Sequence, residues 1–411
     1  MLSKLPSFST LKITHYRNYL AGAFLSEIGN QMQVVAVAWQ VYEITRNPAS
    51  LGLIGVANFL PILLFSLFGG LAADKLNRKK LLILSQSAQA ILALVLFSLT
   101  LFNLINPLMI YLLLFLVSTA QSFSIPVRQS VLPHLVPKPF FMNAVSLNTL
   151  QYQTAVMLGP AVAGFLIGGF GIAPVYFLNA VSFLFFIGAI LTIKVPLHKH
   201  NRADVEFSLS SIWEGIRFIT STPILYITMI LDFLVTFLGT ATILMPVFAQ
   251  DVLGVGPKGL GLLYSAPAIG GVLAGILLSS IHKIKNQGRI IIASIIVYGV
   301  AIVGFGLSKI FLISLVFLVL MGFGDMVSTI IRNTIRQMIT PDNLRGRMSA
   351  VMRIFFQGGP QLGEIEAGFL AKAIGGPATV VIGGLGVVLI TSLIAWKSPK
   401  LRNYQGKELT V

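Results

Sequence analysis

A chain of 411 residues with 55% apolar and 10% charged side chains and mean hydropathy +0.87 lies far from a soluble globular mixture, where about 25% of residues are charged. Long apolar runs recur with polar clusters only between them, which excludes a water-exposed domain built on amphipathic stripes and points to membrane helices. The formal net charge of +16 does not signal nucleic acid, because the 29 Lys and Arg residues sit between apolar runs, with no basic arm or aromatic-interleaved patch.

Lys4, Lys12 and Arg17 precede a first apolar run too long for a signal-peptide core, so that run reads as a retained helix. Twelve spans follow in order near 18–44, 49–72, 80–102, 107–126, 143–168, 173–194, 222–249, 259–281, 289–307, 310–331, 347–373 and 377–397. Joins at Asn106-Pro107, Gly171 to Pro174 and Gly375-Gly376-Pro377 suit tight helical hairpins. A polar stretch divides the chain into a six-helix bundle over 1–194, a linker over 195–221, and a second six-helix bundle with a cytoplasmic tail over 222–411. Within the linker Leu209, Ile212, Trp213 and Ile216 recur at helical spacing opposite Ser210, Ser211, Glu214 and Arg217. This predicts a short amphipathic helix, lying either on the cytoplasmic membrane surface or against protein alone. Sorting the basic residues by loop puts 25 of the 29 on the side shared by both termini and leaves Arg46, Lys258, Lys309 and Lys372 opposite, so both termini are expected in the cytoplasm.

The halves match one another. At an offset of 204, Arg128 pairs with Arg332, Pro137 with Pro341, Gly159 with Gly363, Gly164-Phe165-Leu166 with Gly368-Phe369-Leu370, and Gly171 with Gly375. At an offset of 209, Pro48 pairs with Pro257 and Leu51-Gly52 with Leu260-Gly261, as an indel between two repeated blocks would produce. Two parallel repeats enclosing a central cavity suit a transporter that exposes the cavity to each side in turn.

Between the second and third spans stands Gly69-Gly70-Leu71-Ala72-Ala73-Asp74-Lys75-Leu76-Asn77-Arg78-Lys79-Lys80. This resembles the signature of the major facilitator superfamily, and the resemblance implies an all-α fold of twelve transmembrane helices in two pseudo-symmetric bundles. It assigns Gly70, Asp74 and Arg78 to a cytoplasmic gate; Asn77 departs from the usual Gly, which predicts a wider turn. Pro126-Val127-Arg128-Gln129-Ser130-Val131-Leu132-Pro133, Asn143-Ala144, Pro341-Asp342-Asn343-Leu344-Arg345-Gly346-Arg347 and Gln361-Leu362-Gly363-Glu364-Ile365-Glu366-Ala367-Gly368 are similar to the branch that includes the enterobactin exporter and related secretion permeases. What that branch implies is proton-driven export of a small metabolite, siderophore or drug from a bacterial cytoplasmic membrane, with no cofactor. Gly159-Pro160-Ala161-Val162-Ala163-Gly164 resembles an element associated with antiporters, and ordinary helix packing accounts for the same residues. Helix 4 departs from the drug-exporter pattern, since its first basic residue, Arg128, is read at the cytoplasmic end.

Acids inside the spans are the coupling candidates, because a carboxylate in low dielectric must be protonated, paired or wet. Glu27 and Asp232 each lie about 15 Å into the first helix of a half. Asn30 and Gln31 share a face with Glu27, and Thr236 shares one with Asp232, while Gln121 and Gln151 on helices 4 and 5 are further candidates for contact with cargo. Asp325, with Arg332 and Arg336 on its loop side, and Arg128, Arg345 and Arg347 are assigned to gating; Gly159, Pro160, Gly164, Gly363 and Gly368 to helix packing. Glu364 and Glu366, two apart, cannot share a helical face. The run Gly254-Val255-Gly256-Pro257-Lys258-Gly259 matches a dinucleotide fingerprint in letters but follows a membrane helix rather than a strand, so it is a loop. With no cysteine, no Walker loop and five histidines in or near loops, no metal site, ATPase or nucleophile is expected. The sequence reads as a non-enzymatic, monomeric exporter of a small amphiphilic molecule, with protons and the bilayer as its other partners; import through the same fold, or a non-transporting sensor or scaffold, are the alternatives.

Overall fold

A computed structural model describes residues 10–193, 209–281, 284–341 and 344–406, and the long elements in them are all helices. The first half runs α1 (Thr14–Thr45), α2 (Pro48–Lys75), α3 (Arg78–Leu101), α4 (Pro107–Leu135), α5 (Phe141–Phe170) and α6 (Ala173–Leu191). A linker helix α7 (Leu209–Ser221) precedes α8 (Pro223–Leu238), the single turn α9 (Met245–Val247), α10 (Gly256–Ser279), α11 (Gln287–Leu307), α12 (Phe311–Ile339), α13 (Arg345–Ile374), α14 (Gly376–Lys397) and the short α15 (Pro399–Arg402). Ten spans among the described residues are long and apolar enough to cross a membrane. The other two expected spans are α1, 32 residues long, whose Glu27, Gln31 and Gln33 dilute its hydropathy, and α13, 30 residues long. Leu84, Leu108, Phe170 and Leu312 are among many large apolar side chains left exposed, as a lipid-facing surface requires.

Local chemistry explains the hairpins. Gly171 and Gly375, matched by the repeat, end α5 and α13 with φ of 84° and 89°, a region open to Gly without a Cβ clash. Asn106 caps α4, its Oδ1 accepting from the Met109 amide at 2.9 Å, with Pro107 at the first helical position. The wider turn expected at Asn77 is not found. Only Leu76 and Asn77 separate α2 from α3, and Asn77 Oδ1 caps α3 by accepting from the Lys80 amide at 3.1 Å.

The expected unbroken seventh span is also corrected. It stops at Leu238, continues as a 3-10 turn over Thr242–Leu244 and α9, and ends in a π turn over Phe248–Val252. Tyr298 on α11 holds the break by donating from its hydroxyl to the Gly239 carbonyl at 3.0 Å. A Cβ at Gly239 would stand 2.5 Å from that hydroxyl.

Contacts group the chain into two units. One takes Met1–Arg46, Val56–Asn201 and Val255–Ser265; in it α1 packs on α5 and α6, and α3 on α4 and α6. Its buried polar seam was not anticipated: Asn179 Nδ2 donates to Gln33 Oε1 at 2.7 Å, and the Tyr176 hydroxyl donates to Gln40 Oε1 at 2.8 Å. The other unit takes Asn47–Gly55, Arg202–Gly254 and Ala266–Val411; in it α11 packs on α12 and α14, and α13 on α8 and α7. The first turns of α2 belong to this second unit because Gly52 lies against Gly368 of α13, and the first turns of α10 belong to the first unit because Gly261 lies against Gly164 of α5. These two glycine crossings are related by the internal repeat.

Candidate functional site

Each unit places one carboxylate of its first helix beside an arginine of its fourth. In the first unit Glu27 Oε2 is 3.8 Å from Arg128 Nη1, and Gln31 Nε2 donates to Glu27 Oε1 at 3.1 Å. The same guanidinium donates to Gln86 Oε1 at 3.3 Å and to Ser26 Oγ at 3.5 Å, and its carbon lies 4.6 Å from the centre of the Phe186 ring. Gln86 is fully buried and fixed in turn by donating to Ser124 Oγ at 2.9 Å.

In the second unit Asp232 is held twice. Arg332 Nη2 approaches Oδ1 at 2.7 Å, and Arg336 Nη2 approaches Oδ2 at 3.2 Å while also donating to the Thr228 carbonyl at 3.1 Å. Arg332 Nη2 also donates to Thr329 Oγ1 at 3.1 Å, and that hydroxyl lies 3.5 Å from Asp325 Oδ1, so Asp325 joins the same network. Exposure separates the two sites: the side chains of Arg332, Arg336 and Asp232 are 1%, 2% and 6% exposed, whereas those of Arg128 and Glu27 are 22% and 16%. The second site is a short, desolvated clamp that is costly to open; the first is a long, partly wet pair that is cheap to open.

These arginines correct the sequence reading. Arg332 and Arg336 do follow Asp325 toward the end of α12, Arg336 in its last turn, and Arg128 stands within α4 short of its end at Leu135; what the sequence did not show is that all three side chains turn inward onto the acids. The repeat match of Arg128 with Arg332, each facing the acid of its own half, was the signal available in the sequence.

The remaining candidates divide. Asn30, Gln121 and Gln151 are half-buried. Thr236 donates to the carbonyls of Asp232 and Phe233 at 2.8 and 3.1 Å, and a Cβ on Gly359 of α13 would stand 2.5 Å from its hydroxyl, so it faces a helix contact. Gly159 abuts Gln31 and the Ile28 carbonyl of α1, and Gly363 abuts Phe237 and Thr240. Close approach at the end of α2 falls on Gly69, packed on the Ser122 carbonyl of α4, while no atom of the described residues lies within 4 Å of a Cβ at Gly70. Arg78 Nε donates to the Ala73 carbonyl at 3.5 Å and Nη1 lies 3.4 Å from His134 Nε2, which joins the ends of α2, α3 and α4. Lys79 Nζ donates to the Leu191 and Ile193 carbonyls at 3.1 and 2.8 Å and caps α6. The side chains of Asp74, Arg345 and Arg347 lie outside the described residues.

The chain resembles transporters in sequence and in fold. It is 26% identical to the multidrug efflux pump Tap of Mycolicibacterium fortuitum over 93% of this chain and 95% of that one. It is 25% identical to the enterobactin exporter EntS of Salmonella typhi over 98% and 97% of the two chains, and 25% identical to the staphyloferrin A transporter of Staphylococcus aureus over 93% and 96%. A bacterial homologue of the human lysosomal transporter Spinster, inward-facing and unoccupied, shares the fold with a TM-score of 0.74 at 15% identity, covering 97% of this chain and 98% of that one. A bacterial homologue of the iron transporter ferroportin does so with a TM-score of 0.67 at 16% identity over 93% and 99%. Residues 5–410 match the family model of the transmembrane secretion effectors, and the chain belongs to that family of multi-pass major facilitator transporters of small molecules.

Proposed function

We propose that the chain exports a small, amphiphilic molecule, a siderophore, metabolite or drug, from a bacterial cytoplasm by alternating access, driven by protons, acting as a monomer with both termini in the cytoplasm. The observation that carries the reading is the pair of acid–arginine sites inside the helices, Glu27 with Arg128 and Asp232 with Arg332 and Arg336, in which Arg128 and Arg332 are matched by the repeat. A charged pair within a membrane protein is costly to keep, and its ordinary use is to engage an ion or cargo. Kinship with exporters of siderophores and drugs supports the direction.

Glu27 is the labile member, because its 3.8 Å pair opens at low cost and Gln31 can hold the carboxyl in either protonation state. Asp232 is the anchored member. The test is uptake of a fluorescent drug panel and a ferric-free siderophore panel into inside-out vesicles under an imposed pH gradient. Glu27→Gln is expected to slow gradient-driven uptake by about tenfold or more. Uptake by Glu27→Gln at the wild-type rate and with the wild-type pH dependence would remove this carboxyl from the mechanism.

A further inference from the structure

The two glycine crossings related by the repeat are not equivalent. At the first, Gly261 of α10 rests on α5, where its Cβ would stand 2.5 Å from the Pro160 carbonyl and 2.9 Å from Gly164 Cα. At the second, Gly52 of α2 rests on α13, where its Cβ would stand 3.0 Å from the Ile365 carbonyl, 3.3 Å from Gly368 Cα and 3.5 Å from the Glu364 carbonyl; one turn on, a Cβ at Gly55 would lie 3.1 Å from the Gln361 carbonyl and 3.2 Å from Glu364 Cβ. In the 204-residue register Glu364 stands where the first half has Pro160. The first crossing has a proline where its twin carries a carboxyl, and its charged group is Lys258 of α10, whose side chain lies against Gly168 of α5.

Among the described residues that carboxyl has no counter-charge. Glu27 has Arg128, Asp232 has two arginines and Asp325 has Thr329, whereas no ion pair or hydrogen bond reaches half-buried Glu364 among the described residues. The first turns of α2 hold no ionisable group, and α14 holds none before Lys397. On α8 the acid is Asp232, already clamped; α7 brings Glu214 and Arg217, and α13 itself brings Glu366, Lys372 and, a helical turn or more below Gln361, Arg345, Arg347 and Arg353. Glu366, two residues on, is turned roughly 200° around the helix and away from Gly52 and Gly55. Gln361, one turn before Glu364 on the same face, keeps a buried Oε1 without a donor. A carboxylic acid has the donor that a carboxylate lacks.

Glu364 lies ten residues before the end of α13 at Ile374, about 15 Å along the axis, with Gly52 and Gly55 of α2 against its turn of the helix. An unpaired carboxylate packed between helices is costly, so the closed crossing holds the neutral acid. We infer that Glu364 is a proton-binding site of this transporter, neutral while α2 and α13 are in contact, and that loss of its proton to water accompanies their separation. The O–H bond of the acid breaks, the proton passes to water entering the crossing, and the carboxylate remains hydrated. This deepens the transport reading by adding a second proton seat to the one proposed at Glu27, and it rests on that reading for its purpose.

The absence of cysteine makes the test direct. Ala49→Cys, buried at the start of α2, is treated with a maleimide in purified protein, its rate at each pH divided by that thiol's own ionised fraction, with Asn103→Cys in the exposed α3–α4 turn as an always-open control. In the otherwise wild-type chain the corrected rate is expected to rise about tenfold between about pH 6 and about pH 8.5. Glu364→Gln is expected to stay slow throughout, and Glu364→Asp to keep the rise with a moved midpoint. An unchanged rise in Glu364→Gln, a flat wild-type profile, or a profile flattened by Glu366→Gln instead would each overturn the assignment. The measurement needs no cargo, so a chain with a pH-sensitive crossing that transports nothing would refute the transport reading and leave the proton site standing.

Discussion

Asp232 sits between two guanidinium groups in a fully desolvated pocket, and Glu27 sits beside one guanidinium that water reaches, so the same deletion in the two halves has different consequences. Removing Asp232 strands two buried cations, which costs about 3–5 kcal/mol. Removing Glu27 leaves Arg128 with Gln86, Ser26, the Phe186 ring and solvent, and costs about 1 kcal/mol or less. Thermal unfolding in detergent is therefore expected to show Asp232→Ala losing several times as much stability as Glu27→Ala. Equal losses would mean that the α12 arginines find other partners once Asp232 is gone. Both acids were legible as charges inside apolar runs, but their partners were not, because Arg128, Arg332 and Arg336 stand near the polar ends of those runs and read as loop residues. Only the folded helix pairs turn them inward.

At the level of elements, glycine spacing carried most of the legible information. The repeat singled out Gly159, Gly164, Gly363 and Gly368, and each lies where another backbone or side chain occupies the space a Cβ would need. Gly164→Val would drive a side chain into the Pro257 carbonyl and Gly261 of α10, an overpacking cost of about 1–3 kcal/mol, whereas Gly169→Val meets nothing within 4 Å. Comparing the two variants by unfolding temperature and by yield of folded protein is expected to single out Gly164; a loss as large at Gly169 would trace the effect to helix propensity rather than to the crossing. The broken span after Leu238 was illegible for a related reason. Gly239-Thr240-Ala241 lies inside a continuous apolar run, and what ends the helix there is a hydroxyl from Tyr298, 59 residues away in sequence. Asn77 misled in the opposite sense: as a departure from a family glycine it suggested a loose turn, yet its side chain caps α3 and tightens it.

On the scale of the whole molecule, the charge count that orients the chain changes once the helices are in place. Three of the 25 basic residues first assigned to the side of the termini, Arg128, Arg332 and Arg336, are consumed by Glu27 and Asp232, which leaves 22 against the four opposite. The bias survives, because it rests on loop residues such as Lys75, Arg78, Lys79 and Lys80 and not on the interior arginines. A fluorescent protein fused after Val411 is accordingly expected to fold and fluoresce, a phosphatase fused there to stay inactive, and a phosphatase inserted at Lys309 to be active. Neutralising Arg128 and Arg332 together is expected to leave that pattern intact while abolishing transport, since these charges act on the acids beside them and not on insertion. An active phosphatase after Val411, or a topology that flips when the interior arginines are removed, would show that the count of loop charges had been drawn on the wrong residues.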